Sequence, residues 1–289
     1  MRASTNLRNL LAGQGIIVAP AAYDCLSAMI IEDLGFPAVF VSGFCLAASR
    51  MGMPDLGLEG RTLTVDQSRN IASSVNIPVI VDAGTGYGDA IGVYLTVREL
   101  IRAGVAGCFI EDQTTPPVCP LIGPPKVIST EEFLPKISAA LEARREEHDD
   151  DFVLIARTDA ARTLGLEEAI SRGKAYRNAG ADAIVLPGAP KEKARLKAVA
   201  DALAVPLWVV PSFEQGLSVK DYEEAGVKIL AGIEGLFAAA KAVTDVYREL
   251  KETGTISEKH YQTPTAMPEI SRILKVAKWT DLGTRYSGK

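Results

Sequence analysis

Eight short runs rich in Val and Ile recur along the chain, at residues 16–19, 38–41, 79–81, 108–110, 152–155, 183–186, 207–210 and 228–230. Each is apolar continuously rather than at alternate positions, the pattern of a parallel strand covered on both faces. Between them lie segments with helical periodicity, among them residues 97–103, 131–144, 166–179 and 236–251. Several meet a glycine where a helix should stop, as at Ala103-Gly104, Ala179-Gly180 and Ala225-Gly226. Eight strand-then-helix units predict an α/β fold of the (β/α)8 barrel type. The rival, an open doubly wound sheet, requires a strand-order reversal and a glycine fingerprint after the first strand. The residues there, Ala19-Pro20-Ala21-Ala22-Tyr23, contain no glycine.

The length of 289 residues suits one barrel domain over 1–289, with 254–289 as a C-terminal extension beyond the eighth unit. That tail carries Pro264, Pro268 and a helical stretch at 269–278, and is expected to pack on a neighbouring subunit. The first twelve residues are mildly basic, but Leu7, Leu10 and Leu11 share a helix face and an apolar strand follows, so they are read as part of the fold. Charges are mixed in sign, with 31 basic and 36 acidic residues, and no basic stripe marks a nucleic-acid surface. No apolar run approaches the roughly 20 residues of a bilayer span. Cys25, Cys45, Cys108 and Cys119 lack metal-type spacing, which predicts reduced thiols and a cytoplasmic location. The first three sit among apolar neighbours and read as small core residues.

Barrel enzymes build their sites from the C-terminal ends of the strands. Those ends offer Tyr23 and Asp24, Ser42-Gly43-Phe44, Asp82, Glu111 and Asp112, Arg157-Thr158-Asp159, Gly188, Ser212 and Glu214, and Gly232 and Glu234. Acids beside one arginine suit a divalent cation and an anionic substrate. Asp82 either caps the glycine-rich loop that follows it or faces a ligand. Ser42-Gly43 is either a simple turn or a cradle for a carboxylate. Strand alternation turns Asp112 away from Glu111, toward a structural role. After Glu111 comes a proline-crowded loop, residues 114–125, in which Cys119 is placed as a proton donor on a movable flap. His148 and His260 follow no strand and read as surface residues, which argues against a Ser-His-Asp hydrolase and against zinc chemistry.

At these residues the chain resembles the isocitrate lyase and phosphoenolpyruvate mutase superfamily, nearest its methylisocitrate lyase, dimethylmalate lyase and carboxyphosphonoenolpyruvate mutase branch. The matching pieces are Pro20-Ala21-Ala22-Tyr23-Asp24-Cys25-Leu26-Ser27-Ala28, Val41-Ser42-Gly43, Gly52-Met53-Pro54-Asp55-Leu56-Gly57, Val81-Asp82-Ala83-Gly84-Thr85-Gly86-Tyr87-Gly88, Ile110-Glu111-Asp112-Gln113 and Ile155-Ala156-Arg157-Thr158-Asp159-Ala160. The resemblance spans roughly residues 5 to 250 and implies a barrel, usually tetrameric, with the eighth helix exchanged between paired subunits. It implies that magnesium, or manganese in its place, is held by Asp55, Asp82 and Glu111, directly or through water. It also implies that Ser42 and Gly43, flanked by Tyr23 and Phe44, hold a substrate carboxylate. Arg157 would meet that carboxylate or the developing enolate, and Cys119 would protonate the product.

The chain departs from the family pattern in places that matter. Where the family has Asp-Ala-Asp, this chain has Asp82-Ala83-Gly84, which should weaken cation binding. Where the family flap reads Lys-Lys/Arg-Cys-Gly-His, this one reads Pro117-Val118-Cys119-Pro120-Leu121, without a cation to lower the thiol pKa. Gly188 replaces the usual acid after strand six, and Val210-Pro211-Ser212 an asparagine-bearing run after strand seven. Phosphoryl mutases of the group need a lysine and an asparagine in the flap, and residues 114–125 hold neither. The expected function is a magnesium-dependent lyase for carbon–carbon bonds in a small 2-hydroxy- or 2-oxo-dicarboxylate. The alternatives are oxaloacetate decarboxylation or hydrolysis, or a weakly active or non-catalytic carboxylate-binding barrel.

Overall fold

The computed structural model of the chain describes residues 1–211, 216–260 and 263–287. Its strands are β1 (Ile17–Val18), β2 (Ala21–Ala22), β3 (Val39–Val41), β4 (Val79–Asp82), β5 (Gly107–Glu111), β6 (Val153–Arg157), β7 (Ala183–Val185), β8 (Leu207–Val209) and β9 (Val227–Leu230). All pair in parallel, in the order β1-β9-β8-β7-β6-β5-β4-β3-β2. The two ends of that order are halves of one strand, interrupted at Pro20, which has no N–H to give. Ala19 and Ala21 donate to Leu230 and Gly232, both at 2.9 Å, while Phe40 donates to the Pro20 carbonyl at 3.0 Å. The sheet therefore closes on itself as the eight-stranded barrel that the apolar runs predict.

Closure explains why the strands are apolar without alternation. Ile17, Phe40, Ile80, Phe109, Ile155, Val185, Trp208 and Ile229 fill the barrel interior. Their chain neighbours, such as Val41, Val81, Ile110 and Leu154, pack under the surrounding helices. Trp208 meets Phe40 and Phe109 edge-on, at centroid distances of 4.9 and 5.6 Å. The helix Ala3–Ala12 stops the lower end, with Leu7 fully buried against the interior cluster. Arg8 holds it there through Asp182 at 2.7 Å. The N-terminal segment is thus part of the fold, as expected.

Three of the four helical segments named from periodicity run longer than expected, and the fourth is Leu166–Asn178. The stretch expected at 97–103 is the helix Ala90–Arg102, whose start is capped by the Asp89 side chain accepting from Ile91 and Gly92 N–H groups. Gly86, Gly88 and Gly92 disguise that start as loop. Gly92 is needed there because a Cβ would lie 2.9 Å from the Tyr87 carbonyl oxygen. Gly104, Gly180 and Gly226 take left-handed φ values of 81°, 106° and 82° just past helix ends, as their positions predict.

The single helical stretch expected at 269–278 is corrected to two helices, Thr263–Ile273 and Val276–Tyr286. They part at Lys275, with φ 55°. No glycine or proline marks that break. Arg272 pairs with Asp33 of the same chain at 2.7 Å, so part of the tail packs on its own barrel. Among the described residues no helix is long and apolar enough to cross a membrane.

Candidate functional site

Strand alternation delivers the site. Inward positions two apart carry an apolar residue and then a polar one: Phe40 and Ser42, Ile80 and Asp82, Phe109 and Glu111, Ile155 and Arg157. Glu111 and Arg157 are register partners across β5 and β6. The apolar member fills the barrel and the polar member surmounts it. Asp112, one residue out of phase, points into the helical layer as expected. There it accepts from Thr158 Oγ1 and Tyr176 OH at 2.8 Å, Arg172 Nη1 at 3.0 Å and the Asp159 N–H at 3.1 Å. It clamps the layer behind the site and does not enter it.

Asp55, Glu59, Asp82, Gly84, Glu111, Gln113, Pro117, Cys119 and Arg157 line one pocket. Its internal space is about 20 Å³, room for a single water-sized occupant. The roof is the proline-rich loop. Cys119 N–H donates to the Asp55 carbonyl at 3.3 Å, and the Cys119 carbonyl accepts from Ile122 and Gly123 at 2.8 and 3.1 Å. Pro117 lies over Gly57, where an added Cβ would come within 2.6 Å of the proline ring. Gly57 has φ 69° as well, so glycine there serves both the turn and the close approach.

Asp82 does both things its position allowed. Its Oδ1 accepts from the Gly84 N–H at 2.9 Å and its Oδ2 from the Gly43 N–H at 3.2 Å, while the carboxylate faces the pocket. Arg157 is gripped on two sides. Its Nη1 meets Glu111 at 3.1 Å, and Nε and Nη2 meet Asp159 at 2.9 and 3.2 Å. Gln113 carries this network to the roof. Its Nε2 donates to Asp159 at 3.1 Å, and its Oε1 accepts the Val118 N–H at 2.9 Å. The backbone beside Cys119 is thereby tied to the buried arginine.

The electrostatics are those of too many acids in one place. Burial pushes Asp82 up to about 6, against the pull of Arg157, with Asp55 pushing further. Burial likewise takes Glu59 up to about 7, helped by Asp82 and Asp55. Burial also raises Asp55, opposed by Cys119 and Arg157, and holds Glu111 well above the usual carboxylate range. Burial works to discharge Arg157, but Asp159, Glu111 and Asp82 outweigh it and the guanidinium stays charged. Cys119 is pushed up to about 12, first by burial and then by Asp55, so it is a neutral thiol at physiological pH.

Among the described residues no three His, Cys, Asp or Glu side chains form a ready metal cage. The donors around the pocket nevertheless fit magnesium or manganese. They are hard carboxylate oxygens, and such an ion keeps several waters and needs few direct protein ligands. One buried oxygen, Glu59 Oε2, has no hydrogen-bond partner among the described residues. Asp55, Asp82 and Glu111 would share the ion with it.

Of the residues expected from the sequence, Asp55, Asp82, Glu111, Cys119 and Arg157 converge on this pocket. Gly43 reaches it through Asp82, which occupies its N–H. Ser42 is buried at the start of the helix Gly43–Leu46 and does not line the pocket. Tyr23 and Phe44 pack beside the barrel interior, Phe44 edge-on to Phe237 at 5.8 Å. Ser212 and Glu214 lie outside the described residues. His260 binds Glu249 in the tail, and His148 follows the helix Thr130–Glu146 at the lower end. Glu59, Gln113 and Pro117 were not anticipated. The period of two that turns Glu111 inward also turns Gln113 inward, and could have found it. Glu59 follows no strand, so no comparable signal marks it.

A sequence profile described as phosphoenolpyruvate phosphomutase matches residues 7–251. The 2,3-dimethylmalate lyase of Eubacterium barkeri is 36% identical over 261 residues, covering 88% of each chain. The solved structure of oxaloacetate acetylhydrolase with the inhibitor 3,3-difluorooxalacetate superimposes with a TM-score of 0.91 at 32% identity, covering 99% of this chain and 98% of that one. The structure of phosphonopyruvate hydrolase with oxalate and Mg++ gives a TM-score of 0.88 at 33% identity, covering 99% of both.

Proposed function

The chain belongs to the phosphoenolpyruvate phosphomutase family, within the PEP mutase/isocitrate lyase superfamily, and from that premise we propose that it is a magnesium-dependent lyase. Its substrate is a small 2-hydroxy- or 2-oxo-dicarboxylate, cleaved at a carbon–carbon bond. The carrying observation is geometric: the Cys119 thiol roofs a pocket of carboxylates that also holds the buried, ion-paired Arg157. Magnesium, when bound among Asp55, Asp82 and Glu111, supplies positive charge toward the carboxylate and oxygen atoms of the substrate. Arg157 adds a fixed positive charge beside them. Cys119 holds a proton at Sγ, ready for the carbon that loses its bond, and the loop that carries it lines the pocket through Pro117 and Cys119. At neutral pH the thiol is an acid rather than a nucleophile.

A second reading has a specific basis. The structural likeness to oxaloacetate acetylhydrolase covers nearly the whole chain, and the flap lacks the cationic neighbours of a family lyase. Hydrolysis of oxaloacetate uses the same bound acid with water as the partner. A panel of 2-hydroxy and 2-oxo di- and tricarboxylates separates the readings. Release of pyruvate or glyoxylate marks lyase cleavage, and oxalate with acetate marks hydrolysis. Magnesium with oxalate should raise the melting temperature by about 5 °C or more at saturating concentrations. No shift with either compound, together with no turnover on the panel, would leave only a non-catalytic barrel.

The oligomeric state belongs to the same proposal. The helix Glu234–Thr253 has no buried residue, although it follows the last strand, where a barrel helix would cover the sheet. Phe237, Val243, Tyr247 and Leu250 are exposed along it, as are Leu274, Val276 and Trp279 in the tail. So much uncovered apolar surface supports pairing with further copies, as a tetramer of exchanged eighth helices. Light scattering of the purified protein should give a mass well above the 30.8 kDa of one chain; a monomer rules this part out.

A further inference from the structure

Gly84 stands at the position where the family resemblance implies a second aspartate. Its φ is 52°, and a Cβ added there would meet nothing within 4 Å, so the pocket wall has an open place with no carboxylate in it. The Gly84 N–H is bound to Asp82, and its carbonyl accepts from Glu111 at 2.8 Å. The backbone at this point is held in place while the side chain is missing.

Glu59 supplies an acid in the same pocket from a different loop. The residue is only 9% exposed, yet its Oε2 has no hydrogen-bond partner among the described residues. No Lys, Arg or His within the described residues pairs with it, since Arg157 is held by Glu111 and Asp159. It precedes the helix Gly60–Ser74 without capping it by its side chain. Its Oε1 and Asp82 Oδ2 approach one point above Gly43, at 3.5 and 3.1 Å from where a Cβ would stand. A buried carboxylate oxygen without a partner is costly unless something outside the chain satisfies it. The Tyr87 hydroxyl, itself paired with Thr64 at 2.7 Å, reaches this carboxyl, and the charged groups that face it are Asp82 and Asp55, so a cation is the species that suits the unpartnered oxygen.

We propose that Glu59 takes over the cation-holding role of the aspartate missing at Gly84, so that the divalent-cation site is rebuilt from the loop before Gly60–Ser74. This rests on the magnesium-dependent reading of the pocket, and makes Glu59 a cation-holding residue that a pattern of strand-end acids does not include. It also separates two quantities that usually move together. Removing Glu59 takes away a site for the ion, and it relieves the empty site of a buried charge.

The experiment measures Mn2+ binding to the full chain by the loss of the free-ion electron paramagnetic resonance signal, alongside melting in EDTA. Glu59→Gln should weaken Mn2+ affinity tenfold or more while its melting temperature in EDTA is equal to or above that of the wild type. Adding Gly84→Asp to Glu59→Gln should recover most of that affinity, because aspartate tolerates a left-handed φ and its side chain enters open space. Glu59→Asp, one methylene shorter, guards against a folding artefact and should weaken binding severalfold. Mn2+ affinity unchanged in both Glu59 variants overturns the proposal while leaving the metal-dependent reading intact. A wild type that binds no Mn2+ at millimolar concentration removes that reading, and the inference with it.

Discussion

Arg157→Met is expected to abolish turnover and to cost about 3–5 kcal/mol of stability at neutral pH, the usual penalty for leaving a buried charge without its partner. Arg157 is the cation that Glu111, Asp159 and Asp82 share, and methionine fills much of its volume without its charge. The penalty should shrink as pH falls. Burial already raises Asp82 to about 6 and Glu59 to about 7 with the arginine present. A carboxyl group raised in the folded state contributes stability that is full below its unfolded value near 4 and is lost as pH rises through the folded one. Metal-free wild type should therefore gain stability from pH 8 toward pH 5, and the variant should gain more. Urea unfolding at pH 5 and pH 8 in EDTA measures both slopes. A variant as stable as the wild type at pH 8 would show that the acids do not depend on Arg157.

Cys119→Ser is expected to lower turnover by about 10²–10⁴-fold, the range for a positioned proton donor, while leaving oxalate binding within about threefold of the wild type. The loop is held by main-chain bonds from Cys119 to Asp55 and from Ile122 and Gly123 to Cys119, which serine keeps. What serine loses is acidity, since an alcohol buried beside Asp55 gives up a proton far less readily than a thiol. Product release by the substrate that the panel identifies reports the first quantity. The melting shift with magnesium and oxalate reports the second. Turnover near the wild-type rate would make the cysteine a relic of ancestry, and loss of oxalate binding would make it a structural pin for the roof.

The barrel was legible because two-sided burial leaves an unmistakable trace, eight uninterrupted apolar runs with glycines where helices stop. Glu111, Asp82 and Arg157 were legible for a related reason. Each ends such a run two residues after an inward-facing apolar side chain, so the register that buries Phe109 also aims Glu111. Cys119 was visible as the one thiol in a loop without an apolar frame. Other features had no local trace. Pro20 splits the first strand, yet the halves bond to different neighbours and close the barrel. The tail helices part at Lys275 without a breaker. Nor does the sequence show that Tyr23 and Phe44, expected at the substrate, pack partly buried against the barrel interior.

The sequence by itself determined the barrel and which strand ends bear charge, because these follow from periods of two and 3.6 residues that local chemistry writes into the chain; its family resemblance came from the motifs at those strand ends. Tertiary structure decided what the charges do. Asp82 both caps and lines because Gly43 and Gly84 converge on it from different strand ends. Glu59 enters the pocket from a loop with no strand to announce it, and Gln113 joins the roof to Arg157 through Asp159. Such convergence depends on how separate βα loops fold over the barrel mouth, a distance in space that no spacing along the chain records.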